Sequence, residues 1–236
     1  MCGRFALMTP TEQLAAQFGV PETAVSALPP SVPRYNIAPT QPVAAIRLAD
    51  DGQRDLTFFH WGLIPSWAKD VKIGSRMINA RSETVAEKPS FRAAFKRRRC
   101  LIPADGFYEW QKQANGKQPM FIRPAEGEEQ PALRLPKRPF ALAGLWEVWH
   151  DPDGGALQSC TILTTTPNEL MAPIHNRMPV IVEPEDYDLW LNPEPDPEQG
   201  LHLLRPYPPE KMTAYPVSTV VNNPRNDTPD CIQPIA

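Results

Sequence analysis

Thirty prolines are scattered along the 236 residues of this chain. That is about two and a half times their usual share of ~5%. Proline has no backbone N–H to donate, and it is excluded from the interiors of helices and of central strands. A chain interrupted this often cannot build long regular elements. The sequence therefore predicts many short strands and loops, with only a few short helices.

Hydrophobic periodicity and turn residues locate the main elements. Two short apolar runs separated by Asp50-Asp51-Gly52 predict a hairpin. A helix is predicted to begin at Thr9-Pro10 with a threonine cap and to end at Gly19. A second helix is predicted from Ser90 to Arg99. The polar stretch from Gly127 to Arg138 is predicted as a surface excursion. The predicted strands run from Val43 to Leu48, from Leu56 to Trp61, from Phe140 to Val148 and from Cys160 to Thr166.

Composition excludes several classes of protein. No apolar run approaches the ~20 residues that a membrane span needs, and no charged segment followed by an apolar core opens the chain. A cytoplasmic protein is therefore expected. The four cysteines lie far apart without a CxxC pair, and the four histidines show no ligand spacing. We expect neither a disulfide framework nor a metal site, and no cofactor.

Charge is distributed unevenly along the chain. Residues 71–112 contain ten Lys/Arg against four Asp/Glu, a net of +6, whereas residues 183–236 contain three against ten. Within the basic part, Arg92, Lys96 and Arg99 recur on one face of the predicted helix, and Arg97 and Arg98 add to them. Such a run is commonly a solvated face. The lack of compensating acids on this segment favours phosphate binding instead.

The second residue, Cys2, becomes N-terminal if Met1 is removed. It then carries an amine and a thiol on adjacent carbons, with ordinary pKa values near ~7.7–8.0 and ~8.5, so both are partly available at neutral pH. Such a pair condenses with an aldehyde to an imine, which the sulfur closes to a thiazolidine. The alternative is an ordinary cysteine in a ragged N-terminus. Position alone does not decide between the two.

Three further stretches contain candidates for chemistry or binding. Glu109 interrupts an aromatic run, so it lies either on a solvent face or partly desolvated with a raised pKa, ready for proton transfer. His175 and Arg177 project to one face of an extended segment, which suits a proton shuttle beside an anion clamp, although a single histidine is more often structural. Trp67 lies in a loop beside the basic region, where it either packs or stacks on a base.

Taken together, six stretches of this chain resemble the SRAP family, the SOS-response-associated peptidases. They occur in the family's order and extend to about Val182. The cysteine at position two is therefore part of a family motif and not an accident of the sequence. The matching stretches are Met1-Cys2-Gly3-Arg4, Tyr35-Asn36-Ile37-Ala38-Pro39, Trp61-Gly62-Leu63-Ile64-Pro65-Ser66-Trp67, Asn79-Ala80-Arg81-Ser82-Glu83-Thr84, the run from Arg99 to Trp110, and His175-Asn176-Arg177-Met178-Pro179.

The resemblance implies an α+β fold: a single domain over residues 1–225 with a convoluted, partly barrel-like antiparallel β-sheet and a few short helices. We expect a loose C-terminal tail over 226–236. The resemblance also implies that the protein captures abasic sites in single-stranded DNA as a covalent DNA–protein crosslink. A ring-opened abasic sugar exposes an aldehyde, and with no base to read, a basic groove along the backbone suffices. The expected partner is such DNA, and the expected state is a monomer.

At matching positions the resemblance assigns individual roles. The Cys2 amine attacks the aldehyde, and Asn79 holds the N-terminus by hydrogen bonding. Glu109 is the acid/base beside the amine, and His175 protonates the ring-opened sugar oxygen and helps to reverse the crosslink. The DNA-binding candidates are Arg4, Arg81 and Arg177 for phosphates, Trp67 and Pro39 for packing against bases, and, from the helix pattern alone, Arg92 and Lys96.

Two other functions remain open. The first is a cysteine peptidase or amidase with Cys2 as nucleophile, His175 as base and Glu109 as orienting group. The same residues could also cleave the Met1–Cys2 bond autocatalytically, so this function and the crosslink are compatible. The second is a noncatalytic single-strand-binding module, which explains the basic segment but gives no reason for a terminal cysteine.

Overall fold

The computed structural model describes residues 2–25, 32–125, 139–151, 154–192 and 196–235, which contain thirteen strands, four short α-helices and seven 3₁₀ helices. The excursion predicted from Gly127 to Arg138 lies outside these residues. The helices are α1 (Thr11–Phe18), α2 (Glu22–Val25), α3 (Arg92–Arg97) and α4 (Tyr187–Leu191). The strands are β1 (Phe5–Leu7), β2 (Arg34–Ile37), β3 (Pro42–Leu48), β4 (Arg54–Trp61), β5 (Asn79–Arg81), β6 (Arg99–Ala104), β7 (Gly106–Gln113), β8 (Gly116–Pro124), β9 (Phe140–His150), β10 (Ala156–Thr165), β11 (Met178–Pro179), β12 (Ile181–Val182) and β13 (Met212–Pro216).

Five strands close into a small barrel in the order β10-β4-β3-β6-β9, with β9 pairing back to β10. The predicted hairpin is confirmed, because β3 and β4 pair antiparallel from Pro42 opposite His60 to Leu48 opposite Arg54. Most pairings are antiparallel, but β10 runs parallel to β4 and to β5, so the sheet is mixed. The predicted single-domain, partly barrel-like α+β fold is confirmed.

Successive residues of the barrel strands face two different cores. On β3, Ala44 and Ile46 face the core covered by α1, α3 and α4, here called the helix-side core. Val43 and Ala45 face the core shared with a second sheet, here called the sheet-side core. Because both faces are covered, these strands read as nearly continuous apolar runs.

The second sheet is antiparallel, in the order β13-β8-β7-β1-β2. Strand β1 lies inside it, with Phe5 opposite Phe107 of β7 and Ile37 of β2. Gly106 permits the close packing of β7, because a Cβ there would lie 2.3 Å from a ring carbon of Phe121. This sheet brings the N-terminal segment to the sheet-side core, where the two sheets meet.

Helix α1 ends at Gly19 as predicted, in the left-handed conformation with φ of 64°. The predicted threonine cap is wrong: Pro10 occupies the cap position and the helix begins at Thr11. The reason is the buried carboxylate of Asp105, which accepts hydrogen bonds from the Thr9 backbone N–H at 2.8 Å and hydroxyl at 2.6 Å.

None of the helices in the described part of the chain has both the length and the apolar character to cross a membrane.

The basic helix is shorter than predicted, and its last predicted arginine is not on the surface. Arg99 begins β6, where it lies opposite Leu145, and is 2% exposed. Its guanidinium lies 4.4 Å and 4.9 Å from the ring centroids of Phe95 and Trp190, and burial lowers its pKa to about 10. Strand pairing to β9 turns this residue inward, so Arg99 is not part of a positive surface.

The C-terminal segment packs against the second sheet, in contrast to the loose tail predicted over 226–236. The Asp227 carboxylate accepts hydrogen bonds from the backbone N–H of Tyr35 and Asn36 in β2, the latter at 2.9 Å. Cys231 is completely buried, and Pro234 forms a β-bridge with Val217. The physical reason is that β2 is an edge strand whose free N–H groups need acceptors.

Candidate functional site

Cys2 lies in the sheet-side core and is completely buried. The segment that follows it is fixed to β7, because the backbone N–H of Tyr108 donates to the carbonyl of Arg4 at 2.9 Å. Burial raises the pKa of the Cys2 thiol, and the nearby Glu109 carboxylate raises it further. The thiol is therefore neutral in this environment, whereas its ordinary pKa predicts partial ionisation.

Asn79 connects the barrel to the N-terminal segment. Its Nδ2 donates a hydrogen bond to the carbonyl oxygen of Cys2 at 2.8 Å. Its position is well fixed, because the carbonyl of the preceding Ile78 accepts from the backbone N–H of Ile162 at 3.1 Å and from the Trp61 indole at 2.9 Å. Asn79 therefore links β5 to the backbone of Cys2.

Glu109 lies on β7 with only 3% of its surface exposed. Of the two alternatives from the sequence, a solvent face or a desolvated carboxylate, the structure has the second. Burial raises the pKa of Glu109, and the charge of nearby His175 acts in the opposite direction. A buried carboxyl group with a raised pKa is suited to proton transfer.

His175 lies in the segment between β10 and β11 and is half-buried beside Glu109. Its side chain is 27% exposed, and its Nε2 lies 4.0 Å from Oε2 of Glu109. Its backbone N–H donates to the carbonyl of Met171 at 2.8 Å, and its Nδ1 accepts from the backbone N–H of Arg177 at 3.1 Å. The four residues come from four separate parts of the chain: Asn79 contacts Cys2, His175 lies beside Glu109, and the charge of Glu109 acts on the Cys2 thiol.

Two of the three candidate phosphate arginines are engaged within the protein. The guanidinium of Arg4 donates to the side chain of Asn36 at 2.7 Å and to the carbonyl of Val221 at 2.8 Å. The guanidinium of Arg177 forms a two-oxygen ion pair with Glu83. Any contact of these arginines with a phosphate would use their remaining N–H groups.

Arg81 is the third candidate, and it differs from the other two. It is exposed at the end of β5, and within the described part of the chain its side chain forms no hydrogen bond or ion pair. Because side chains alternate along a strand, Arg81 projects to the same side as Asn79, whereas Ala80 between them faces the helix-side core. Arg81 is therefore free to meet an anion on the face where Cys2 is held.

Pro39 lies in the loop that follows β2, and Trp67 lies in the loop that follows β4. Trp67 is 58% exposed, so its interpretation as core packing is wrong, and Pro39 is half-buried. The loop before Trp67 requires Gly62, whose φ is 134° and whose Cβ would lie 2.7 Å from the carbonyl of Gly74. Trp61 at the end of β4 is completely buried, as predicted, and its carbonyl accepts from the backbone N–H of Thr40 at 2.8 Å.

Helix α3 carries Arg92 and Lys96, both exposed, but it packs on the helix-side core through Ala94 and Phe95. Cys2 lies in the sheet-side core, on the opposite face of the same barrel strands. The neighbouring Arg98 is ion-paired with Glu147, in addition to the burial of Arg99. The structure therefore does not bring Arg92 and Lys96 together with the other candidates.

Sequence reasoning gave no role to Glu83 or to the segment that holds Arg4. Glu83 lies within a matching stretch, but its partner Arg177 is 94 residues away, and no local pattern pairs them. The same holds for Asn36 and Val221, which contact Arg4 from distant positions.

In the described residues, no group of three or more His, Cys, Asp or Glu side chains is arranged to hold a metal ion.

Comparison with known proteins gives consistent matches over the whole chain. A family model described as SOS response associated peptidase (SRAP) matches residues 1–224. The chain is 45% identical over 237 residues to the abasic site processing protein YoqW of Bacillus subtilis (strain 168), and the match covers 99% of each. It is 40% identical over 201 residues to the abasic site processing protein HMCES of Xenopus tropicalis, covering 79% of this chain and 59% of that relative.

A solved structure supports the fold. The crystal structure of a protein from Bacteroides thetaiotaomicron matches with a TM-score of 0.84 and 28% identity, covering 100% of both chains. The overall fold of this chain is therefore similar to one already determined by crystallography.

Proposed function

The chain belongs to the SOS response associated peptidase family, and from that premise we propose that it captures abasic sites in single-stranded DNA as a covalent crosslink. Its relatives include proteins named for abasic site processing, which supports a role in processing such DNA lesions. The linkage is a thiazolidine formed by Cys2 after removal of Met1, and it shields the lesion.

The observation that carries this proposal is the hydrogen bond from Asn79 to the Cys2 carbonyl beside a buried carboxylate. A structural cysteine needs no such tether and no acid/base group. Here Asn79 fixes the backbone of Cys2 from the barrel, while Glu109 lies in the strand next to it with a raised pKa. Fixing a nucleophile next to a proton acceptor is what an addition to an aldehyde requires.

The proposed reaction uses each group in turn. The Cys2 amine gives a proton to Glu109 and adds to the aldehyde carbon of the ring-opened sugar. Water leaves with a proton returned by Glu109, and a C=N bond forms. Sγ of Cys2 then bonds to the same carbon while the thiol proton passes to the imine nitrogen. A neutral thiol suits this order, because the amine reacts first and the sulfur closes the ring afterwards.

His175 acts on the sugar side of this site. It protonates the oxygen released when the sugar ring opens, and in the reverse direction it assists release of the DNA. Its partial exposure and its 4.0 Å separation from Glu109 place it between solvent and the buried carboxylate. Proton exchange between solvent and the site therefore has a path through the imidazole.

The DNA strand is held by its backbone. Arg81, exposed and on the same side of β5 as Asn79, is the strongest candidate for a flanking phosphate, and Arg4 and Arg177 lie closer to the reacting residues. Trp67 and Pro39 pack against the neighbouring bases. Arg92 and Lys96 contribute positive potential from the other side of the barrel strands.

A second activity is favoured by the contact between His175 and Glu109. A cysteine, a histidine and a carboxylate are also the three groups of a cysteine peptidase or amidase, although here the imidazole faces the carboxylate through Nε2 and its Nδ1 contacts the backbone of Arg177. We propose that the same residues can cleave the Met1–Cys2 bond and so generate the reactive N-terminus. The two activities would then follow one another on one site.

The test is a denaturing gel of the purified protein with a single-stranded oligonucleotide that contains one abasic site. We expect a shifted band that survives denaturant without reductant in the wild type. In Cys2→Ala this band is absent, although the variant still binds the oligonucleotide in a native gel. If mass spectrometry shows that Met1 is removed and no band forms, the proposal is wrong, and peptide substrates would be assayed instead.

A further inference from the structure

The carboxylate of Glu83 holds Arg177 in a two-point ion pair. Nη1 of Arg177 donates to one carboxylate oxygen, and Nη2 donates to the other at 3.0 Å. Nη2 also donates to the carbonyl of Thr164 on β10. The hydrogen bonds from Arg177 lower the pKa of Glu83, so this ion pair persists at neutral pH. Planar, bidentate contacts of this kind fix the orientation of an arginine more strongly than a single bond does.

The backbone of Arg177 in turn determines the state of His175. Its N–H donates to Nδ1 of the imidazole at 3.1 Å, so Nδ1 is an acceptor in the neutral ring. The proton of the neutral imidazole is then on Nε2, the nitrogen that lies 4.0 Å from Glu109. The carbonyl of Arg177 lies 3.3 Å from the same Nδ1 and can accept a hydrogen bond from it when the ring is charged. Both protonation states of His175 are thus accommodated by one residue.

We propose that Glu83 is a positioning residue for this site, which acts through Arg177 to keep the neutral imidazole of His175 in the tautomer with its proton on Nε2. This inference rests on the proposed role of His175 in proton transfer. Glu83 itself touches none of the reacting atoms. Its effect is to keep a donor N–H against Nδ1, so that the proton is presented to the reacting side of the ring.

The position of Arg177 depends on Glu83 because strand pairing begins only after Arg177. The ladder between β11 and β10 starts at Met178, opposite Thr165, and so does not include Arg177 itself. The side chain of Arg177 is 13% exposed and is tied down by Glu83 and Thr164. Removal of the carboxylate leaves only the Thr164 contacts and one uncompensated, nearly buried charge, which favours rearrangement of this residue.

A second consequence distinguishes this role from a purely structural one. Glu83 is a negative charge, 47% exposed, two residues from Arg81 in the proposed DNA-binding stretch. Its loss removes repulsion toward phosphate and frees the Arg177 guanidinium. We therefore expect DNA affinity to stay equal or rise while the rate of crosslinking falls. A variant that merely damages the fold would lower both.

The experiment compares Glu83→Ala and Glu83→Gln with the control Glu87→Ala, which removes an exposed carboxylate from the same region. Nitrogen-15 NMR of the imidazole, with His175 assigned from His175→Gln, reports the tautomer without any DNA. The crosslinking rate at saturating abasic oligonucleotide and the dissociation constant for an intact oligonucleotide are measured in parallel. Thermal denaturation verifies that each variant is folded.

We expect wild type and Glu87→Ala to show the Nε2-protonated form and equal rates. Glu83→Ala shows a mixture of tautomers and a rate lower by about tenfold, with unweakened DNA binding, and Glu83→Gln lies between. An unchanged tautomer and rate in folded Glu83→Ala, or in Glu83→Gln if the alanine variant does not fold, overturns the inference. If the wild type forms no crosslink at all, the proposed function fails, and the tautomer measurement still decides the role of Glu83.

Discussion

Cys2 and helix α3 lie on opposite faces of the same barrel strands. On the sheet side, a completely buried cysteine is tied to Asn79 and adjoins a carboxylate that is 3% exposed. On the helix side, Arg92 and Lys96 stand in solvent, and α3 is attached to the barrel through Ala94 and Phe95. The first region is buried and held in place by hydrogen bonds, and the second region is exposed and positively charged.

This difference separates the residues proposed for the reaction from the residues proposed to attract DNA. A reactive residue needs a fixed geometry and controlled proton transfer, which burial and hydrogen bonds supply. An exposed charge acts over a Debye length of about 8 Å at physiological salt and needs no fixed geometry. Substitutions of the buried residues around Cys2 should therefore change the rate of crosslinking, and substitutions of exposed basic residues should change affinity and its dependence on salt.

The largest effect is expected for Glu109→Gln, which preserves the size of the side chain and removes its proton acceptor. We expect the crosslinking rate at saturating DNA to fall by about 10²–10⁴, with DNA affinity unchanged. Glu12→Gln, an exposed glutamate of α1, is the control and should react as the wild type does. A Glu109→Gln variant that reacts at the wild-type rate would show that the buried carboxylate has no part in the chemistry.

The pH dependence of the same pair sharpens this test. Burial raises the pKa of Glu109, so the carboxylate becomes protonated at a higher pH than an ordinary glutamate does. A protonated group cannot accept a proton, and the wild-type rate should fall as the pH drops through this raised pKa. Protonation of the Cys2 amine also lowers the rate, in both proteins. A decrease in rate at low pH that occurs in the wild type and not in Glu109→Gln is caused by protonation of the carboxylate. Identical curves of rate against pH in the two proteins would contradict its role as base.

A smaller effect is expected for Asn79→Ala, which removes the hydrogen bond to the Cys2 carbonyl. Such a bond is worth about 0.5–1.5 kcal/mol, which corresponds to a loss of up to about tenfold in rate. Asn79→Asp is the matched variant, because it keeps the size but has no N–H to donate. Single-turnover crosslinking kinetics measure both. A full rate in either variant would mean that the strand pairing of β1 alone positions Cys2.

Sequence patterns predicted much of this molecule where the determinants are local. The hairpin of β3 and β4 follows from two apolar runs and a turn, and the end of α1 follows from Gly19. Cys2, Asn79, Glu109 and His175 were singled out because the motifs that contain them match a family. Their mutual distances, such as the 4.0 Å between His175 and Glu109, could not come from motifs.

The failures share one cause, which is long-range competition for a charged or polar group. Thr9 has the pattern of a helix cap, but the buried carboxylate of Asp105 takes its hydroxyl. Arg99 continues a basic run, but pairing of β6 with β9 turns it between two aromatic rings. The C-terminal segment has the composition of a loose end, but Asp227 meets the free edge of β2. None of these partners lies within reach of a local pattern.

The smallest effect is expected on the helix side, from the double variant Arg92→Ala/Lys96→Ala compared with Arg81→Ala. A direct phosphate contact on a single strand contributes about 0.7 to the slope of log affinity against log salt. We expect Arg81→Ala to reduce the slope by about this amount, because Arg81 is exposed on the side of Asn79. The double variant should change it by less although it removes two charges, because α3 lies across the barrel strands from Cys2. A reduction near 1.4 would instead show that the strand runs from the Cys2 face onto α3, and the rate at saturating DNA should stay unchanged in either case.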